Sequence, residues 1–172
     1  MTDGKLNLIP YLNENGCIPE EIEGKIGVYG IFDREKVLQL VSYSRNVYLS
    51  LKQHLVRQPQ KCYWFKLQTI DRPSRTVLEE IQKAWIEENQ FIPPGNNGER
   101  AKWNESIDTK LALTDEEREM YDSSEERQKI ALLKKVARRE EAKILKSLEE
   151  RGVQMNLRFN PKLKEQGLLD LK

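Results

Sequence analysis

The residues of this chain that could do chemistry are few and widely spaced. His54 is the only histidine, and no serine, cysteine or carboxylate partner is recognisable near it in the sequence, so a surface or helix-capping role is expected. Cys17 and Cys62 lie far apart and lack the spacing of metal ligands. They predict two free thiols in a reducing compartment.

Basic and aromatic side chains offer a second kind of chemistry, the binding of nucleic acid. Five cations could line one edge of the fold: Arg45, Lys52, Arg57, Lys61 and Lys66. The aromatic run from Tyr63 to Phe65 is expected to pack in the core, with a base-stacking platform as the alternative. The net charge of +1 supplies no global field, so any basic surface has to be local.

Length and composition limit the architecture that can carry these residues. The chain has 172 residues, of which 33% are charged and 38% apolar, and this predicts one domain of ordinary size with an extension. No apolar run approaches the roughly 18 residues of a membrane span, and the first residues lack the apolar segment of a signal peptide. We therefore expect a soluble, cytoplasmic protein.

The elements that must position these residues follow from periodicity and turn signals. KIGVYGIF and VLQLVS alternate as a hairpin, and KCYWFKLQTI reads as a third strand. Ser44 can cap a first helix that runs to about Arg57, and a capping box at Thr76 and Glu79 opens a second helix. The order β-β-α-β-α predicts an α+β domain over residues 24–103 with a three-stranded antiparallel sheet, after an irregular lead-in over residues 1–23.

Residues 104–172 predict a helical extension and tail. Thr114 with Glu117 and Ser123 with Glu126 read as capping boxes, and the second would begin a long helix over residues 123–151 that stops at Gly152. Its apolar stripe is expected to lie on the domain or on a protein partner, and it consists of Ile130, Leu133, Ala137, Ile144 and Leu148. The tail after Gly152 is mixed in composition and could be flexible.

Residues 24–97 resemble the GIY-YIG nuclease superfamily, which includes homing endonucleases and the nuclease domain of bacterial nucleotide excision repair. GVYGIFD and YSRNVYLSLKQHL stand where that family has its first strand, hairpin and following helix. The resemblance implies hydrolysis of a phosphodiester, which needs a polarised water, a divalent ion and a cation near the phosphate. The family meets these needs with a tyrosine on each hairpin strand, an arginine on the first helix and a metal-binding glutamate on the second. An asparagine usually follows in the next loop.

Carried over to this chain, most of these positions hold other residues. The first tyrosine matches Tyr29, whereas the positions of the second tyrosine, the arginine and the glutamate hold Leu40, Ser50 and Gln82. A glutamine amide is neutral and is a poor replacement for a carboxylate at Mg²⁺. The loop asparagine corresponds to Asn96 or Asn97.

Two neighbouring residues could restore part of such a site. Tyr43 lies three residues after Leu40, an odd offset that points it to the opposite face of a strand. Glu79 lies one helical turn before Gln82 and could present a carboxylate in a shifted register. The apolar spacing of the second helix nevertheless turns Gln82 inward and leaves Glu79 nearer the rim.

The resemblance therefore implies a catalytically degenerate GIY-YIG-like protein that acts as a binding or assembly module, with the helix over residues 123–151 docking a protein partner. The alternative is an active Mg- or Mn-dependent endonuclease that uses Tyr29, Tyr43 and Glu79 in an altered site. A third possibility is nucleic-acid binding without cleavage through Arg45, Lys52 and Arg57. No cofactor is expected under the first hypothesis, and Mg²⁺ or Mn²⁺ is expected only under the second.

Overall fold

The structure, a computed structural model, describes residues 7–172. The chain divides into two compact units, of which the first ends at Glu105 and the second is Ser106–Lys172. This division falls two residues beyond the domain boundary that we placed at residue 103. The first six residues of the predicted lead-in lie outside the described residues.

The first unit contains a four-stranded sheet and three α-helices within the described residues. In chain order they are β1 (Ile9–Pro10), β2 (Ile26–Phe32), β3 (Leu38–Ser44), α1 (Val47–Arg57), β4 (Trp64–Ile70), α2 (Arg75–Glu88) and α3 (Arg100–Asn104). A 3₁₀ turn at Pro94–Asn96 joins α2 to α3. The predicted order β-β-α-β-α is present from β2 to α2, and the α+β class is confirmed.

The sheet differs from the prediction by one strand. Its order is β1-β4-β2-β3 and all of its strand pairs are antiparallel. The three-stranded prediction was wrong because Ile9 and Pro10 of the lead-in pair with Phe65 and Trp64 at one edge. A two-residue strand carries no alternation that a sequence reading could detect, and proline is tolerated on an edge strand.

The two long helices of this unit cover opposite faces of the sheet. Val28 packs with Leu78 and Trp85 of α2, whereas the neighbouring Tyr29 bonds through its hydroxyl to His54 of α1. Because successive side chains of a strand point to opposite faces, α1 and α2 must lie on different sides.

The N-cap residues of α1 and α2 differ from those that we predicted. Asn46, not Ser44, caps α1 by accepting from the Leu49 N–H, because Ser44 still belongs to β3 and its hydroxyl accepts from the Asn46 N–H at 3.0 Å. Ser74, not Thr76, caps α2. Both corrections move a cap by two residues, which is the usual uncertainty of a helix end.

The second unit is mostly helical. It contains β5 (Ile107–Asp108), α4 (Asp115–Ser123), α5 (Glu126–Glu150), α6 (Pro161–Lys164) and β6 (Leu168–Leu169). The capping box of Thr114 and Glu117 is confirmed. The box predicted at Ser123 was wrong, because Glu125 with Gln128 forms it instead. The helix ends near Gly152, whose φ of +84° suits glycine after a C-terminus.

Part of the apolar stripe of α5 is buried within its own unit, whereas Ile130 is 39% exposed and Ile144 is half-buried. Leu133, Ala137 and Leu148 are buried, as are Leu132 and Val136, which the predicted stripe omitted. The tail, whose mixed composition allowed it to be flexible, folds back: β6 pairs with β5, and Lys164 forms an ion pair of 2.6 Å with Glu141 of α5. The docking of a protein partner on this stripe therefore finds no support. Within residues 7–172, none of the helices combines the length and the apolar character needed to cross a membrane.

Candidate functional site

A cavity of about 550 Å³ lies in the first unit, where β3 passes between α2 and the segment that leads to α3. Its lining combines amide, charged and aliphatic side chains: Leu40, Val41, Ser42, Glu79, Gln82, Lys83, Ile86, Glu87, Ile92, Gly95, Asn96, Arg100 and Asn104. A concave site with aliphatic walls and a few convergent polar groups is the usual form of a ligand pocket. This cavity is therefore our candidate functional site.

Two side-chain amides form the floor of the cavity by binding the backbone of Val41. Asn96 accepts from the Val41 N–H through Oδ1 at 2.8 Å and donates to the Val41 carbonyl oxygen through Nδ2 at 2.8 Å. The Gln82 amide donates to the same carbonyl at 2.9 Å. Asn96 thus supplies the donor and the acceptor that a further strand would have supplied, and it closes this stretch of the sheet edge.

Gly95 allows the loop to approach β3 this closely. A Cβ atom at this position would lie 2.8 Å from the Gln39 carbonyl oxygen and 2.9 Å from side-chain atoms of both Leu40 and Trp103. Any other residue would have to push the turn away from the strand. The contact between the loop and the strand therefore depends on this glycine.

The first prediction concerns the Asn96 contact. Replacing Asn96 with alanine removes two hydrogen bonds and leaves the Val41 N–H without its partner, so we expect a loss of about 2 kcal/mol in the free energy of unfolding. Urea unfolding of the two proteins measures it. Asn97→Ala is the matched control, because Asn97 is exposed and should change stability by less than about 0.5 kcal/mol. Equal losses in the two variants would contradict the assignment.

The rim of the cavity carries charge of both signs. Lys83 and Arg100 bring two cations, and Glu79 and Glu87 bring two anions. Among the described residues Lys83 has no carboxylate partner. Arg100 donates from Nε to the Asn96 carbonyl oxygen at 3.0 Å, which leaves the rest of its guanidinium for other partners. The arrangement can hold a polar ligand by hydrogen bonds and charge.

Beneath this site, on the α1 face, lies a buried pair that we did not predict. The Tyr29 hydroxyl is 2.8 Å from His54 Nε2, and the His54 ring stands 5.6 Å from the ring of Trp103. Burial raises the pKa of Tyr29 to about 12. Burial, and then the nearby Arg57 charge, lower the pKa of His54 to about 3. Both groups are therefore neutral near pH 7, and the pair is a structural hydrogen bond.

The surface or capping role expected for His54 was wrong. The residue is 4% exposed, because it follows Leu51 by three positions and so shares the inner face of α1. Tyr29, which we matched to the first tyrosine of the family, lies in the core at 2% exposure. Ser50, which we had matched to the arginine of the family, donates from its hydroxyl to Ser44 at 2.7 Å.

The Glu79 carboxylate, which a shifted register could have brought into the site, already accepts hydrogen bonds from two side chains. Glu79 accepts from Arg75 Nε at 2.7 Å and from the Tyr43 hydroxyl at 3.2 Å. The hydrogen bond from Arg75, and then that from Tyr43, lower the pKa of Glu79. Within residues 7–172, no three residues among His, Cys, Asp and Glu are grouped so that they could hold a metal ion. Tyr43 and Glu79 are thus neighbours, while Tyr29 lies on the other face of the sheet.

The three cations predicted to bind nucleic acid do not share one surface feature. Arg45 is exposed and lines a second cavity with Tyr43. Arg57 is half-buried and donates to the Trp103 carbonyl oxygen at 2.9 Å. Lys52 lines neither of these cavities. Sequence reasoning also missed Arg100, Asn104 and Trp103, which belong to a five-residue helix that is too short to show a period.

Within the described residues neither cysteine forms a disulfide. Cys62 is fully buried, and its thiol lies 3.5 Å from the His54 carbonyl oxygen. Cys17 is half-buried in a turn, and its thiol lies 3.6 Å from the Asn15 carbonyl oxygen. Neither cysteine lines the candidate site.

Comparison with known proteins finds a relative for part of the chain. No family model matches the chain. Over 93 residues it is 36% identical to the bifunctional monothiol glutaredoxin-S16, chloroplastic, of Arabidopsis thaliana, and the match covers 49% of this chain and 32% of that protein. The chain therefore spans about a third of the length of the relative that it matches.

This comparison contradicts the resemblance to the GIY-YIG superfamily. The relative is named a glutaredoxin, and none of the comparisons points to a nuclease. The expectation of a GIY-YIG nuclease-like protein, degenerate or active, and with it that of an Mg- or Mn-dependent endonuclease, is corrected on this finding. The resemblance depended on short stretches such as GVY, and an alternating buried strand provides such a pattern without any nuclease.

Proposed function

We propose that this chain is a ligand-binding module that works alongside thiol-redox chemistry and does not itself supply the reactive thiol. The observation that carries the proposal is the cavity of about 550 Å³ with the amides of Asn96 and Gln82 fixed at its floor. A concave site with fixed polar side chains, and with cations that lack a carboxylate partner among the described residues, favours recognition of a polar ligand. No nucleophile with an adjacent base lines this cavity within the described residues.

The positions of the cysteines support the second part of the proposal. Reactive thiols lie in accessible, electropositive surroundings, often at a helix N-terminus, whereas Cys62 is buried and Cys17 belongs to a turn. Thioredoxin-like redox motifs combine C-x-x-C with a βαβ unit. Such a unit needs parallel strands, and all pairs in this sheet are antiparallel.

The name and the length of the relative are compatible with a binding module that lies beside a separate thiol-redox part. Its name gives it two functions, and the match covers 32% of its length. Its thiol-redox part therefore need not lie in the third of the protein that corresponds to this chain. We propose that the matched third contributes binding, and that it acts beside a glutaredoxin activity located elsewhere.

A fragment screen by two-dimensional NMR tests this function. Mixtures of small polar fragments are added to the ¹⁵N-labelled chain, and we expect shifts that cluster at the amides of Gly95, Asn96 and Gln82. Replacing Ile92, which is 55% exposed on the cavity wall, with lysine should abolish these shifts without disturbing the core. The exposed substitution Lys135→Ala in α5 is the control. Shifts that cluster elsewhere, or none at all, would refute the proposal.

A second candidate, a thiol oxidoreductase that uses Cys17, is favoured by the name of the relative and by the partial exposure of this cysteine. Reduction of a glutathionylated peptide by the chain, with glutathione as the reductant, measures the activity. Our proposal expects no turnover above background in the wild-type chain. Turnover that is lost in Cys17→Ser and kept in Cys62→Ser would establish the second candidate instead.

The two thiols should also differ in their reactivity with iodoacetamide. Cys62 is fully buried, so we expect the folded chain to take one carbamidomethyl group, at Cys17, and the unfolded chain to take two. Mass spectrometry of intact and digested protein measures this. Rapid labelling of Cys62 in the folded state would contradict the burial on which the argument depends.

The remaining expectations from the sequence stay proposals. A protein partner through residues 123–151, binding of nucleic acid and a cytoplasmic location have no direct support, and the relative is described as chloroplastic. We propose no resident cofactor for this chain.

A further inference from the structure

The outer edge of β3 offers an open position for a further strand. β3 ends the sheet, and the outward N–H and C=O of Val41 are taken by Asn96. Because the direction of backbone groups alternates along an antiparallel strand, those of Tyr43 point outward as well. None of the described residues forms a hydrogen bond with the outward N–H and C=O of Tyr43.

A second cavity adjoins this open position. It has a volume of about 330 Å³ and is lined by Tyr43, Ser44, Arg45, Pro73, Ser74, Arg75 and Leu78. The hydrogen bond between Tyr43 and Glu79 forms the boundary with the larger cavity, since Tyr43 lines one cavity and Glu79 the other. The two cavities thus follow each other along β3 and α2, and we call them together the edge groove.

The length of the edge groove suits a short extended peptide. It follows α2 from Arg75 to Glu87, which at 1.5 Å per residue is about 18 Å. An extended peptide advances about 3.3 Å per residue, so five or six residues would span the groove. One residue of this peptide could exchange two backbone hydrogen bonds with Tyr43.

The charge of the edge groove favours an anionic occupant. Its lining includes the cations Arg45, Arg75, Lys83 and Arg100 and the anions Glu79 and Glu87, a local excess of two positive charges in a chain whose total is +1. Arg75 is neutralised by Glu79 at 2.7 Å. Arg45, Lys83 and Arg100 have no carboxylate partner among the described residues.

The aliphatic walls favour a peptide over a nucleic-acid strand. Ile86 and Ile92 line the larger cavity, and Ile92 is 55% exposed, so an aliphatic side chain of the ligand would be partly desolvated there. Proteins that bind a single nucleic-acid strand typically stack its bases on several aromatic side chains. Tyr43 is the one aromatic residue that lines the described groove, and its hydroxyl is held by Glu79.

We propose that the edge groove binds an acidic peptide segment in extended conformation, by strand addition at Tyr43. Carboxylates of the segment lie near Arg45 and Lys83, and an aliphatic side chain lies between Ile86 and Ile92. This inference rests on the proposed function of the chain as a binding module, for which it specifies the class of ligand.

Selection from a library of random linear heptapeptides on immobilised full-length chain tests the proposal. We expect enriched sequences to be rich in Asp and Glu with an aliphatic residue between them. A fluorescein-labelled synthetic copy of the consensus is then titrated by fluorescence anisotropy. N-methylation of the one peptide nitrogen that pairs with Tyr43 should weaken binding at least about tenfold, because it removes a backbone donor and leaves the side chains intact.

Charge reversal provides the matched pair of variants. Lys83→Glu should weaken binding about tenfold or more, and Lys135→Glu on the exposed face of α5 should leave it unchanged. Enriched peptides without acidic bias, indifference to an N-methyl scan, or tighter binding of an oligothymidylate of equal charge would each overturn the proposal. If fragments still shift Gly95 and Asn96 while no peptide binds, strand addition fails and the binding module stands. If neither binds, both fail.

Discussion

The free energy of unfolding should fall by about 1.4 kcal/mol for each pH unit as the pH drops from 6.5 towards 3, because of His54 alone. In the folded chain its pKa lies at about 3, whereas an exposed histidine has a pKa near 6.5. Between these values the unfolded chain binds one more proton than the folded chain. The contribution is therefore complete above pH 6.5 and is lost as the pH falls.

Urea unfolding at pH 7, 6, 5 and 4 measures this loss in the wild type and in His54→Gln. The free energy of unfolding of the variant should be lower at pH 7. It should also depend less on pH during acidification, because glutamine cannot titrate. Carboxylates with lowered pKa, such as Glu79 and Glu117, remain in both proteins and cancel in the difference. Parallel curves from pH 7 to pH 4 would contradict a neutral, buried His54.

The order of elements in the first unit could be predicted because it depends on local patterns. The alternating pattern of side chains predicted β2 and β3, and turn residues predicted the break between them. His54 could not be placed in the same way, since a helix with Leu51 and Leu55 inside can carry a polar residue at the border of its stripe. Whether this residue faces water depends on Trp103, which comes 49 positions later in the sequence.

The candidate site was predictable only in part. The spacing of Leu78, Ile81 and Trp85 indicated that Gln82 faces inward, and Gln82 does reach the Val41 carbonyl. The Asn96 contact required knowledge that the loop comes back over the edge of β3, which is a long-range property. The predicted function was wrong because short strand sequences were matched to a family. The positions that would carry the chemistry of that family held Leu40, Ser50 and Gln82.

One aromatic side chain connects the buried pair to the candidate site. Trp103 is fully buried, its ring contacts His54, and its carbonyl oxygen accepts from Arg57 at 2.9 Å. The same helix, α3, carries Arg100 and Asn104 to the cavity. The polar rim of the site is thus held in place by packing on the opposite face of the sheet from α2.

Trp103→Ala should therefore cost about 3–5 kcal/mol in the free energy of unfolding, since it empties a large core position. It should also abolish fragment shifts at Asn96, because α3 loses its anchor. Urea unfolding and two-dimensional NMR measure the two effects. Trp103→Phe, which keeps an aromatic ring, should lose less stability and retain the shifts. Lys102→Ala, at the exposed neighbour on α3, should change the free energy of unfolding by less than about 0.5 kcal/mol.

If water reaches His54 in Trp103→Ala, the dependence of stability on pH below 6.5 should weaken as well. A variant with wild-type stability and wild-type pH dependence would show that α3 is held by other contacts.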